Sequence, residues 1–135
     1  MKKLSSVLLI DDDSTTNFLN NLLLKRLDIA DTLLVAENGA LGLAILAEVC
    51  AEATPRCPAL ILLDVNMPVM NGIEFLEAYQ RLPLAQRQAI IIVLLTTSVH
   101  PRDLERVRQL PIAGTLNKPL TEEKMRGVLQ QYFPD

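Results

Sequence analysis

The sequence predicts an α/β fold in which a parallel five-stranded sheet is covered on both faces by helices. Three observations carry that expectation. Five short strand-like runs, most of them apolar, alternate with five helical stretches along the chain. Two of the runs, Ala59 to Leu63 and Ala89 to Leu95, are continuously or almost continuously apolar, as strands buried on both faces are. The polar residues that interrupt the pattern fall just after the strands, at the edge where open α/β sheets bind ligands. Half of the residues are apolar and 21% are charged, which suits one compact domain over residues 1–135 with a core of its own.

The first strand, Val7 to Ile10, stops on Asp11, Asp12 and Asp13, and Asp13 or Ser14 can cap the helix that follows. Leu19, Leu22, Leu23 and Leu27 fall on one face of that helix, with Asn20, Asn21, Lys25 and Arg26 opposite or flanking, so the leucines are expected to pack on the sheet. Thr32 to Ala36 is the second strand. Asn38-Gly39 turns into a helix through Leu41, Ala44, Ile45 and Val49, which fades in the loop containing Pro55 and Pro58. The third strand ends on Asp64, and Asn66, Pro68, Asn71 and Gly72 after it are all turn formers. A helix with Phe75, Leu76, Tyr79 and Leu82 inward runs to Pro83. The fourth strand, Ala89 to Leu95, ends on Thr96, Thr97 and Ser98, and Pro101 suits the first turn of a helix carrying Leu104, Val107 and Leu110. A short fifth strand, Gly114 to Asn117, leads to Lys118-Pro119. Thr121 then caps a last helix with the apolar stripe Met125, Val128, Leu129, Tyr132 and Phe133, and Glu122 and Glu123 complement its amino end.

A net charge of −3 and the lack of a dense Lys/Arg cluster argue against a nucleic-acid surface and leave a protein as the expected partner. The two lysines at the start precede an apolar run that three aspartates cut short, and no run approaches the ~20 residues of a membrane span. The chain is therefore read as cytoplasmic, and Cys50 and Cys57 as reduced thiols without a metal-ligand pattern. His100, the only histidine, precedes Pro101 in a loop and is assigned no role.

If the first and third strands are neighbours, as in the flavodoxin-like order 2-1-3-4-5, Asp11, Asp12 and Asp64 meet at the switch point of a doubly wound sheet. Three carboxylates in one pocket need a counter-charge, and a hard divalent cation such as Mg²⁺ fits them while leaving room for a phosphate oxygen. Lys118 adds an ammonium at the same edge and Thr96 a hydroxyl. Together they describe a phosphate site with an aspartate nucleophile, which would form an acyl phosphate.

The stretches LLIDDDS, LLDVNMPVMNG, VLLTTS and NKP, in that order and spacing, resemble the receiver domain of two-component response regulators, specifically the free-standing CheY-like kind without an output domain. The resemblance covers essentially the whole chain. It implies that Asp64 accepts a phosphoryl group from a histidine kinase or phosphotransfer protein. It further implies Mg²⁺ held directly by Asp12 and Asp64, by the main-chain carbonyl of Asn66, and by Asp11 partly through water. Lys118 would pair with the phosphoryl group and Thr96 would move toward it as the switch, with Thr97 as the alternative. The enzymatic activity implied is limited to Mg²⁺-dependent self-phosphorylation and autodephosphorylation. A cis bond is expected before Pro119.

One departure stands out: the position three before the lysine, often aromatic in the family, is Thr115 here. The output is therefore expected to pass through the loop from Thr97 to Arg102 and to reach a protein target, or a second copy on phosphorylation, through the 97–135 face. That face includes Arg102, Glu105, Arg106 and Arg108. The chain would otherwise be a monomer. The rival reading is a phosphatase similar to the haloacid dehalogenase superfamily, with Asp11 as nucleophile and Asp13 as acid/base, because VLLIDDDST contains Asp-x-Asp-x-Thr. It lacks the late acidic pair that would complete its metal site, since the adjacent acids after Lys118, Glu122 and Glu123, sit on a helix's first turn.

Overall fold

A computed structural model describes residues 3–50, 57–65, 67, 70–82, 90–96, 109–110 and 112–134. The structure has five strands among the described residues: β1 (Leu4–Ile10), β2 (Ala30–Ala36), β3 (Leu60–Asp64), β4 (Ile91–Thr96) and β5 (Gly114–Asn117). All pair in parallel, in the order β2-β1-β3-β4-β5. The described helices are α1 (Ser14–Leu27), α2 (Gly39–Val49), α3 (Gly72–Tyr79) and α4 (Glu122–Tyr132). The helix expected over 101–110 lies outside the described residues apart from Gln109 and Leu110, as do Pro55, Pro83 and Ala89.

Because side chains alternate across a strand, the central runs feed two cores at once. Leu8, Ile10, Ile61, Leu63, Ile92 and Leu94 pack with Leu46 and Val49 of α2 and Phe75 and Leu76 of α3. Val7, Leu9, Leu60, Leu62, Val93 and Leu95 pack with Leu24 of α1 and with Met125, Val128 and Leu129 of α4. The stripe read in the last helix is thus the buried one, and Thr121 caps it by accepting the N–H of Lys124. Gly127 lies inside α4 where an added Cβ would meet nothing within 4 Å. Gly127→Ala is expected to stabilise the fold by about 1 kcal/mol, because alanine loses less backbone entropy on folding. The measurement is a denaturant midpoint that rises at unchanged slope.

The first helix is rolled relative to its leucine stripe. Leu19 and Leu22 are 56% and 50% exposed, while Asn17, Asn20 and Leu24 face the sheet. Leu23 and Leu27 are only partly buried. The cause lies at the helix start, where Asp13 rather than Ser14 is the N-cap and the buried Asn17 amide donates to the Asp11 carbonyl at 2.8 Å. That bond turns the Asn17 side inward. Hydrophobic spacing alone does not contain it.

Cys50 and Cys57 are not free thiols. They form a disulfide with their Cα atoms 4.7 Å apart. Cys50 is the C-cap of α2 and Cys57 lies just before β3, so the return of the chain from helix to strand brings them together. A compartment argument had no access to that geometry. No helix among the described residues is long and apolar enough to cross a membrane.

Candidate functional site

The strand register builds the site. β1 and β3 are neighbours with Ile10 opposite Leu63, so Asp11 and Asp64, the next residues, emerge side by side at the carboxyl edge. Asp12 joins them, and one carboxylate oxygen from each of Asp11, Asp12 and Asp64 lies within 4.8 Å of the others. Asp11 and Asp64 are 3% and 5% exposed, whereas Asp12 opens to solvent. Asp11 is held from both sides: one oxygen accepts the Asp13 N–H at 2.9 Å and the other accepts from Lys118 at 2.8 Å. The Lys118 ammonium also stands 3.1 Å from Asp64.

Burial by itself would push the Lys118 pKa down, but the hydrogen bonds and charges of Asp11 and Asp64 outweigh it and hold the group above its ordinary 10.5. In the metal-free protein the stability from this pairing is therefore complete below pH 10.5. On the ammonium's side it is lost as pH rises through the higher folded value. Lys118 is a cation throughout the neutral range.

Two neighbouring elements set where Lys118 stands. Its N–H donates to the Thr96 carbonyl at 3.0 Å, which ties it to the end of β4, and the Lys118–Pro119 bond is cis as expected. Thr96 itself is 4% exposed and pairs with Asn117. From α4, the Lys124 ammonium donates to the carbonyls of Asn117 at 2.7 Å and Pro119 at 3.0 Å, the two residues flanking Lys118. On the other side, α3 begins directly against the end of β3. Its Gly72 N–H donates to the Val65 carbonyl at 2.8 Å, and Asn71 and Glu74 close a reciprocal capping box.

Residues 7–130 match the family profile of the response regulator receiver domain. The chain belongs to that family. It is 32% identical over 127 residues to a probable chemotaxis protein CheY of Rhizobium etli, covering 94% of this chain and 91% of the relative. A 33% identical stretch of 75 residues aligns with the signal transduction histidine-protein kinase BarA of Escherichia coli, of which it spans only 8%. A two-component response regulator from Cytophaga hutchinsonii superposes with a TM-score of 0.85 at 28% identity, covering 99% of this chain and 100% of the other. The protein is a two-component response regulator with a CheY-like receiver fold.

Within this receiver domain, Asp11, Asp12, Asp64 and Lys118 come together and Thr96 lies at the same sheet edge. Asn66 and Thr97 lie outside the described residues. Three carboxylates against one ammonium leave excess negative charge in a half-buried, all-oxygen pocket, and such a donor set suits a hard divalent cation. Nothing in the family match favours the phosphatase alternative. Its proposed acid/base, Asp13, spends both oxygens on α1, accepting from the Thr15 N–H at 3.1 Å and the Thr16 hydroxyl at 2.7 Å. Those bonds hold its carboxyl below the usual range, favouring the anion that caps a helix.

Sequence reasoning missed two supporting residues, Asn17 and Lys124. Asn17 had no signal, since it reads as a polar position on a helix. Lys124 had one: a cation in the first turn of a helix stands against the macrodipole, so a nearby pair of carbonyls could have been sought for it.

Proposed function

We propose that Asp64 is the phosphoryl acceptor of this response regulator, taking the group from a histidine kinase or phosphotransfer protein. The observation that carries the proposal is a buried carboxylate at the end of a central strand, 3.1 Å from a lysine ammonium. An Asp64 oxygen attacks phosphorus, the bond to the donor's leaving group breaks with its electron pair, and an aspartyl phosphate forms. Lys118 moves its charge onto a phosphoryl oxygen, and the Thr96 hydroxyl is the switch donor. Asp11, Asp12 and Asp64, with the Asn66 carbonyl, would hold Mg²⁺, which when bound neutralises charge on the transferring oxygens. A small acyl or amido phosphate serves as donor in the same way, and water reverses the modification.

The protein works in the cytoplasm, and its output surface is the 97–135 face. In support, β5 and α4 frame a groove of about 560 Å³ lined by Thr115, Leu116, Lys124 and Tyr132, among others. Thr115 is exposed there, so no ring at that position rotates into the core.

The test is labelling with a small phosphodonor and Mg²⁺, followed by mild base or hydroxylamine. Label lost under both conditions is expected, and base-stable label overturns Asp64 as acceptor. Asp12→Ala is expected to weaken Mg²⁺ binding about 10-fold or more by removing one of three carboxylates. Calorimetry showing unchanged affinity would remove Asp12 from the metal site.

A further inference from the structure

The Cys50–Cys57 disulfide lies at the opposite edge of the sheet. The Cys50 side chain is fully buried with Leu46 and Val49, and its N–H is fixed to the Leu46 carbonyl at 2.9 Å. Cys57 is partly buried against the same core, less enclosed than Cys50, and stands three residues before β3. The strand approach beyond it is anchored on both sides: the Ala59 N–H donates to Ser6 at 2.9 Å and its carbonyl accepts from Ile91 at 3.0 Å. We propose that the Cys50–Cys57 disulfide is a thiol–disulfide exchange site that takes a protein dithiol as reductant, and that Cys57 is the sulfur attacked.

The asymmetry in burial decides the order of events. A thiolate of the dithiol attacks Cys57 Sγ, the Cys50–Cys57 bond breaks, and Cys50 leaves as a thiolate that takes up a proton. The second thiolate of the dithiol then attacks its own partner sulfur in the mixed disulfide, closes the donor's disulfide and releases Cys57 as a thiol. Two electrons and two protons have moved from the dithiol to the cysteine pair.

The fold survives the exchange. The bridge joins residues only 7 apart in sequence, so it constrains the unfolded chain less than a long-range bridge would. Cys50 belongs to one core and Cys57 packs against it, but the other core and all four strand pairings are built from residues outside the bridge. After reduction, helix capping and strand hydrogen bonds keep the two thiols close, so reoxidation stays intramolecular. A disulfide in the reducing compartment assigned above is exchange-active rather than a permanent staple, and in that clause the inference rests on the proposed function.

The test uses the full chain, a thioredoxin-type dithiol protein, and a variant of that protein lacking its resolving cysteine. Without reductant, the denatured chain is expected to show no free thiol; after native incubation with the dithiol protein it should show two. The variant should be captured on Cys57. Reduction should lower the melting temperature by roughly 5 °C or more, whereas Cys57→Ser should already melt at the lower temperature and ignore the dithiol. Free thiols before reduction, resistance of the native bridge to the dithiol, or capture on Cys50 would each overturn the proposal. Phosphoryl labelling of Asp64, measured in both redox states, should agree within about twofold because the carboxylates lie at the other end of β3. Absence of label in both states would instead defeat the acceptor assignment and leave the thiol counts standing.

Discussion

Asp64→Asn is expected to reduce phosphoryl acceptance by roughly 10³-fold or more, because an amide oxygen with no full negative charge cannot form a stable acyl phosphate. The fold should remain intact. Asparagine has nearly the same shape as aspartate, Lys118 keeps its 2.8 Å partner in Asp11, and the repulsion among three carboxylates is relieved. Loss of label with an undiminished melting temperature therefore separates chemistry from misfolding. Because Asp11 and Asp12 remain, the variant also distinguishes the neighbours. Label retained by Asp64→Asn would place the acceptor on one of them and remove Asp64 from the role.

The second large effect is expected at Gly72. A Cβ added there would stand 2.7 Å from the Asp64 carbonyl oxygen and 2.9 Å from the Val65 Cα, both backbone atoms that cannot swing aside as a flexible side chain does. Gly72→Ala must push α3 away from the end of β3, breaking the Gly72 N–H bond to Val65 or displacing Asp64 itself. The expected cost is about 2–4 kcal/mol, with phosphoryl acceptance impaired in the fraction that stays folded. Gly127→Ala is the matched control, since the same substitution in open space should stabilise. A Gly72→Ala protein with wild-type stability and labelling would show that the close approach of α3 does not hold the acceptor in place.

The strands and the edge that carries the site were legible in the sequence because each depends on local pattern, whereas the order 2-1-3-4-5 was expected only by likeness to the flavodoxin-like fold and was decided by the strand pairing. Continuous apolar runs ending on Asp11, Asp64 and Thr96 mark buried parallel strands and their carboxyl ends, and four motifs in sequence mark the family. Thr121 as a cap and the Met125, Val128 and Leu129 stripe were legible for the same reason, since capping and helical periodicity are properties of neighbouring residues. The roll of α1 was not, because it is decided by a hydrogen bond from Asn17 to the Asp11 carbonyl across the turn between strand and helix. Nor was the hold of Lys124 on the carbonyls beside Lys118, which depends on where α4 docks. Cys50 and Cys57 show the limit most plainly. Their spacing permits either two thiols or a bridge, and only the packing of α2 against β1, β2 and α3 sets the end of the helix where the Cα atoms stand 4.7 Å apart. Composition and periodicity report what each residue prefers, whereas these contacts are distances between elements, which exist only once the sheet and its helices have packed.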